Sequence, residues 1–281
     1  MKKFTLCFVV IILLAKCQLP DADKKREHFL MPASHRAANN HADSLKYLCQ
    51  YWEITDADHP TYRDVFSNNS GIYNYPGLVF FNDLNIAENP RGEVRYGRYK
   101  LANRKIEVVF NDSSKSLYKM MRMKDGNMEL ARSEKSMETL LYLKGDSVNY
   151  TIATASPFHP DNNLWRIRPL VKESDEQLKI RLRRCVAFYE KYFYDNLQRK
   201  SKDIIFDGLP SCFVWYKGGI YVQSEDNLDK KFIDCFFSKE QAFKARQILE
   251  DAMKKKYKWK PNVPNWIEQT APVLHQIHDS L

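Results

Sequence analysis

EVRYGRYKLANRKIEVVF, residues 93–110, decides the fold class. In its second half Ile106, Val108 and Phe110 alternate with Glu107 and Val109, the period of two expected of a strand with one face on a core. Glu93–Leu101 is a second β-rich run, and Asn103 sits between the two, where a hairpin needs a residue tolerant of unusual backbone angles. The stretch predicts two antiparallel strands joined by a short turn.

The same alternation of β run and turn chemistry extends in both directions. Tyr47–Thr55 and Leu78–Phe81 precede it; Ser116–Met123, Met128–Arg132, Met137–Leu143 and Ser147–Ala153 follow. Asp112-Ser113, Asp125-Gly126-Asn127 and Gly145-Asp146 mark the intervening turns. Eight short strands so connected predict an up-and-down antiparallel β-barrel or sandwich over residues 45–153.

The pattern changes at Ser156–Trp165, broken by Pro157 and Pro160, so residues 154–172 are expected to be a connector. Ser174 with Gln177 is a capping-box start, and Leu178, Leu182, Cys185, Val186, Tyr189, Phe193 and Leu197 follow at helical spacing. Asp203–Phe206, Ser211–Tyr216, Ile220–Gln223 and Phe232–Phe237 read as strands, the middle two joined at Lys217-Gly218-Gly219. Ser238 with Gln241 starts a second helix through Ala242, Ala245, Ile248, Leu249, Ala252 and Met253. Residues 173–258 are therefore expected to form a small α+β domain with two amphipathic helices, and 259–281 a tail. The whole chain reads as mainly β plus α+β.

The chain opens with MKKFTLCFVVIILLAKC, a basic start and an apolar run of about a dozen residues, too short for the roughly 20 that span a bilayer. Residues 1–16 have the layout of a secretory signal peptide. Leu14-Ala15-Lys16-Cys17 resembles the bacterial lipoprotein box, which implies acylation of Cys17, and Gln18 in place of Asp implies an outer-membrane address. Polar residues 17–44, with Pro20 and Pro32, then read as a tether. This resemblance implies a cell-envelope protein, periplasmic or surface-facing, whose membrane contact is its N-terminal lipid.

A second resemblance covers about residues 45–153. Trp52 lies early in a strand and is followed by Leu78-Val79-Phe80-Phe81, then Gly97-Arg98-Tyr99-Lys100-Leu101, the Ile106–Phe110 strand and Leu140-Leu141-Tyr142-Leu143. This looks like the lipocalin-like, calycin-type domains of Bacteroidetes lipoproteins, and implies a barrel that binds a small apolar ligand or a partner surface. Gln50 stands where that family usually has glycine, and the insertion Asp56–Pro76 departs from its compact pattern. On this reading Tyr96, Arg98, Tyr99, Met121, Met123 and Met128 are the ligand-pocket candidates; a bulge near Gly97 is needed to bring Tyr96 and Tyr99 to one face.

Chemistry is sparse. Loss of Lys2, Lys3 and Lys16 leaves 41 basic against 35 acidic side chains, net +6. The densest basic run, Lys254–Lys260, falls at a predicted helix end where cations suit the dipole, so no nucleic-acid partner is expected. Cys49, Cys185, Cys212 and Cys235 lack metal or redox spacing; Cys212 and Cys235 are the candidate disulfide, with four buried apolar thiols the alternative. No catalytic residue, metal site or cofactor is assigned. Gly208-Leu209-Pro210-Ser211-Cys212 is the remote candidate for a Cys-dependent hydrolase, but no histidine lies between His159 and His275 to serve as base. The expected function is a non-catalytic, lipid-anchored binding protein. The alternative is a structural or assembly lipoprotein that docks through its C-terminal domain.

Overall fold

The hairpin at 93–110 forms, within a closed ring of strands. The computed structural model describes residues 45–58, 77–134, 137–199, 208–216, 219–256 and 266–281, all within the compact unit of residues 40–281. The expected signal segment, Cys17 and the expected tether lie outside the described residues, as do the expected strand Asp203–Phe206 and most of the insertion before Pro76. The strands are β1 (Gln50–Ala57), β2 (Gly77–Phe80), β3 (Asn85–Glu88), β4 (Arg95–Ala102), β5 (Lys105–Phe110), β6 (Lys115–Lys124), β7 (Asn127–Glu134) and β8 (Met137–Asn149). Each pairs antiparallel with the next, and β8 pairs back onto β1 to close the barrel. Asn103 and Arg104, at φ 47° and 64°, make the β4–β5 turn; Asp125 and Gly126, at 53° and 74°, make the β6–β7 turn. Two successive positive φ angles are what the twist of a two-residue hairpin demands.

Eight strands match the sequence expectation in number, with four differences of detail. Asn85–Glu88 is a strand that the sequence did not announce, since only Ile86 and Ala87 are apolar in it. Met137–Asn149 is a single strand rather than two. Gly145 is not a turn residue but a point of close approach: a β-carbon there would lie 2.9 Å from the Trp52 ring, and Gly145 pairs with Trp52 across the β1–β8 ladder. Nor is there a bulge at Gly97, because the β3–β4 and β4–β5 registers run unbroken through it.

The lumen is filled by the chain's own side chains. Trp52, Phe80, Tyr99 and Tyr118 are fully buried there with Ile54, Leu78, Ile86, Ile106, Val108, Leu130 and Leu141 around them. An eight-stranded barrel is just wide enough for such a core. At one end the Trp52 indole donates to the Leu48 carbonyl at 2.9 Å. At the other, half-buried Glu88 pairs with Arg95 at 2.7 Å and Arg132 at 3.1 Å and accepts from the Tyr118 hydroxyl at 3.2 Å.

On the opposite face of β1 to β4 one row is also largely out of water. Tyr51, Val79, Ala87 and Tyr96 are register partners across these four strands, and they form the wall against which the helical part packs. The small side chains of Val79 and Ala87 in the middle of the row leave room for it. The Pro160–Arg166 3₁₀ turn leads to α1 (Asp175–Gln198), whose capping box is as predicted: Ser174 Oγ accepts from Gln177 N, and Ser174 N donates to Gln177 Oε1. Then come β9 (Phe213–Tyr216) and β10 (Gly219–Val222), a two-stranded sheet, with α2 (Lys230–Ile233), α3 (Lys239–Lys256) and α4 (Trp266–Ser280). Leu182, Val186, Tyr189 and Phe193 of α1 join Phe213, Phe236, Leu249 and Leu274 in one core that continues into the barrel wall.

The expected strand Phe232–Phe237 is instead α2 and the turn after it. Asp229 caps α2 by accepting from Lys231 N at 2.9 Å, and Phe232 and Phe236, four apart, bring their rings to 4.8 Å. Four-residue spacing puts both on one side of a helical turn.

A charged seam ties the end of α1 to the barrel. Arg199 reaches Asp195 at 2.6 Å and Asp146 at 3.1 Å. The Tyr150 hydroxyl donates to Asp195 at 2.9 Å and accepts from Arg199 at 2.8 Å. Arg91 and Arg199 lie against the Tyr51 ring, 4.8 and 5.1 Å from its centroid. Burial lifts the Asp146 carboxyl to about 6, although Arg199 pulls it back toward the ordinary range.

Candidate functional site

The structure separates the residues expected to line a pocket. Tyr99 and Met128 point into the filled lumen, and Met123 packs against its edge. Met121 is exposed on the outer face, where a register shift between Met120 and Arg122 sets it off the ladder. Arg98 is exposed and donates to the Asp83 carbonyl at 3.3 Å. Tyr96 alone faces the helical side, and there it lines a cleft of about 760 Å³, within the size range of small-molecule sites.

Four separate segments build this cleft. Val94 and Tyr96 come from the entry to β4, Asn163 and Arg166 from the 3₁₀ turn, Gly208 and Pro210 from the chain before β9, and Lys231, Asp234 and Cys235 from α2 and its end. Gly208 has φ +88°, and a β-carbon on it would lie 1.8 Å from the Arg91 carbonyl oxygen. Only glycine lets these two backbones meet so closely. The Gly208-Leu209-Pro210 segment, singled out in the sequence for nucleophile chemistry, thus serves to bring one wall of the cleft against the β3–β4 connection.

Arg166 is held by two neutral acceptors, the Asn163 side-chain oxygen at 3.3 Å and the Gly92 carbonyl at 3.2 Å. Among the described residues no carboxylate pairs with it. The Tyr96 hydroxyl is out of solvent and meets no hydrogen-bond partner among the described residues. Burial pushes its pKa up, and the nearby Arg166 charge opposes that shift. At the rim Lys230 pairs with Asp234 at 2.6 Å, and the Cys235 thiol donates to the Lys231 carbonyl at 3.2 Å. Burial pushes that thiol up to about 12.

Among the described residues Cys49, Cys185, Cys212 and Cys235 are free and buried. Burial raises the Cys212 thiol far above its ordinary value, the reverse of the thiolate activation that a nucleophile needs. Ser211 Oγ accepts from Phe213 N at 3.0 Å, a local turn contact. Among the described residues no group of three His, Cys, Asp or Glu side chains is arranged to hold a metal ion.

Sequence reasoning picked out Tyr96 but not Arg166, which it left within the connector 154–172. What marks Arg166 is its placement beside residues from three other segments, and no local pattern carries that.

Fold and site together define an eight-stranded antiparallel barrel with a filled lumen, flanked on one wall by a helical region and carrying a polar cleft where the two meet. No family model, curated protein or solved structure matches the chain.

Proposed function

We propose that the protein is a non-catalytic, lipid-anchored component of a bacterial cell envelope, a lipocalin-like barrel moored to the outer membrane through Cys17. In this reading it engages a small ligand or a partner protein on the outside of the barrel, not within it. The observation that carries the reading is the contrast between a lumen occupied by Trp52, Phe80, Tyr99 and Tyr118 and an open cleft beside Tyr96. The assembly alternative gains support from Ile167, Leu170 and Val171, which are 63, 95 and 71 % exposed. Three large aliphatic side chains so close together in solvent favour contact with another molecule, and Ile167 also borders the cleft.

Native mass spectrometry of protein extracted from the membranes of its own host tests both parts. An N-terminus that begins at an acylated Cys17, with a small molecule or a stoichiometric protein bound, is the expected result. A cytosolic product that retains Met1 removes the envelope assignment.

A further inference from the structure

We infer that the cleft holds a small organic anion, a carboxylate or a phosphate monoester, with its charged oxygens between the Arg166 guanidinium and the Tyr96 hydroxyl. The inference rests on the cleft being the binding site, and adds the chemistry of what enters it.

Arg166 supplies the first argument. A guanidinium carries five donors in a planar fork suited to carboxylate and phosphate. Its contacts here, Asn163 and Gly92, are neutral and hold the group in place without cancelling its charge. Tyr96 supplies the second. A hydroxyl shielded from water without a partner costs about 1–3 kcal/mol, and Tyr96 lines the same cleft as Arg166. An incoming anionic oxygen satisfies the phenol and the guanidinium together, through charge-assisted bonds that are shorter and stronger than neutral ones.

The remaining lining limits the ligand further. Lys231 adds a second cation at the rim, while the Asp234 charge is engaged by Lys230. Glu93 stands exposed at the mouth and disfavours ligands with many negative charges. Val94, Ile167 and Pro210 offer apolar surface for the body of the molecule. One acidic group on a modest aliphatic frame fits these walls best.

Calorimetric titration of the purified full chain with N-acetyl-leucine, its neutral amide and inorganic phosphate tests the assignment. The acid is expected to bind at least tenfold more tightly than the amide. Arg166→Gln should abolish that preference, and Tyr96→Phe, which removes one oxygen and keeps the ring, should weaken the acid several-fold. Unchanged thermal unfolding of Tyr96→Phe shows that its loss is not misfolding. Phosphate binding that needs the same two side chains supports the inference and selects a phosphate ester as the ligand. Equal binding of acid and amide overturns it, as does acid binding that survives both substitutions, or silence from acid and phosphate alike. Because membrane attachment and co-purifying partners are read by mass, failure of the titration removes the anion assignment and leaves the envelope reading to its own test.

Discussion

Strands β2 and β5 belong to one barrel, yet they meet solvent differently. Every residue of β2 is buried, Leu78 and Phe80 toward the lumen and Val79 toward the helices. In β5 burial alternates strictly, with Ile106, Val108 and Phe110 inside and Lys105, Glu107 and Val109 in water. The barrel therefore has one double-sided wall and one half-solvated wall. Continuous apolar sequence marks β2 and period-two sequence marks β5, as burial on two faces or one requires. A cleft bounded by barrel and helices can form only along the double-sided wall, and it does so at Tyr96.

The lumen serves both walls, so emptying it should have the largest effect. Trp52→Ala removes a fully buried indole that closes one barrel end, and is expected to cost about 3–5 kcal/mol, read from the urea midpoint. A loss under about 1 kcal/mol would mean that the lumen is not a single packed core.

The seam should come next. Arg199→Met leaves buried Asp195 and half-buried Asp146 without the cation that contacts both, and a loss of about 3 kcal/mol is expected. The pH profile sharpens this. Asp146 titrates near 6 in the folded chain and near the ordinary aspartate value of ~4 when unfolded, so the folded form holds its proton more tightly. Stability from this group is thus full below about pH 4 and falls as pH rises toward 6. Asp146→Asn should flatten that decline, and a slope identical to the parent's would place the titration elsewhere.

Two valines give the smallest and most direct contrast. Val79 is 0 % exposed on the helical side of β2, and Val109 is 49 % exposed on the outside of β5. Val79→Ala should cost about 2 kcal/mol, while Val109→Ala should stay within about 0.5 kcal/mol. Equal effects would erase the distinction between the walls.

This contrast also explains what the sequence revealed. Ile106, Val108 and Phe110 announce β5, because solvent on one face forces polar residues into alternate positions. The turns at Asn103 and Asp125-Gly126 were legible because their backbone angles demand particular residues. Asn85–Glu88 stayed hidden, since a four-residue strand between two neighbours is fixed by those neighbours and needs little apolar pattern of its own. Gly145 misled for the opposite reason. A glycine admitted by a passing indole looks, in sequence, like one admitted by a turn. Phe232–Phe237 misled because a dense apolar run carries no period. The cleft was least legible, since Tyr96, Arg166, Gly208 and Lys231 come from four segments that only the packing of helices on barrel brings together.

The pairing of β8 with both β7 and β1 has one more consequence. A ring of strands has no edge strand, so an extended peptide finds no whole margin along which to lengthen this sheet. Recognition by the barrel must run through side chains, and its selectivity is therefore open to change one residue at a time without disturbing the ladder that holds the ring shut.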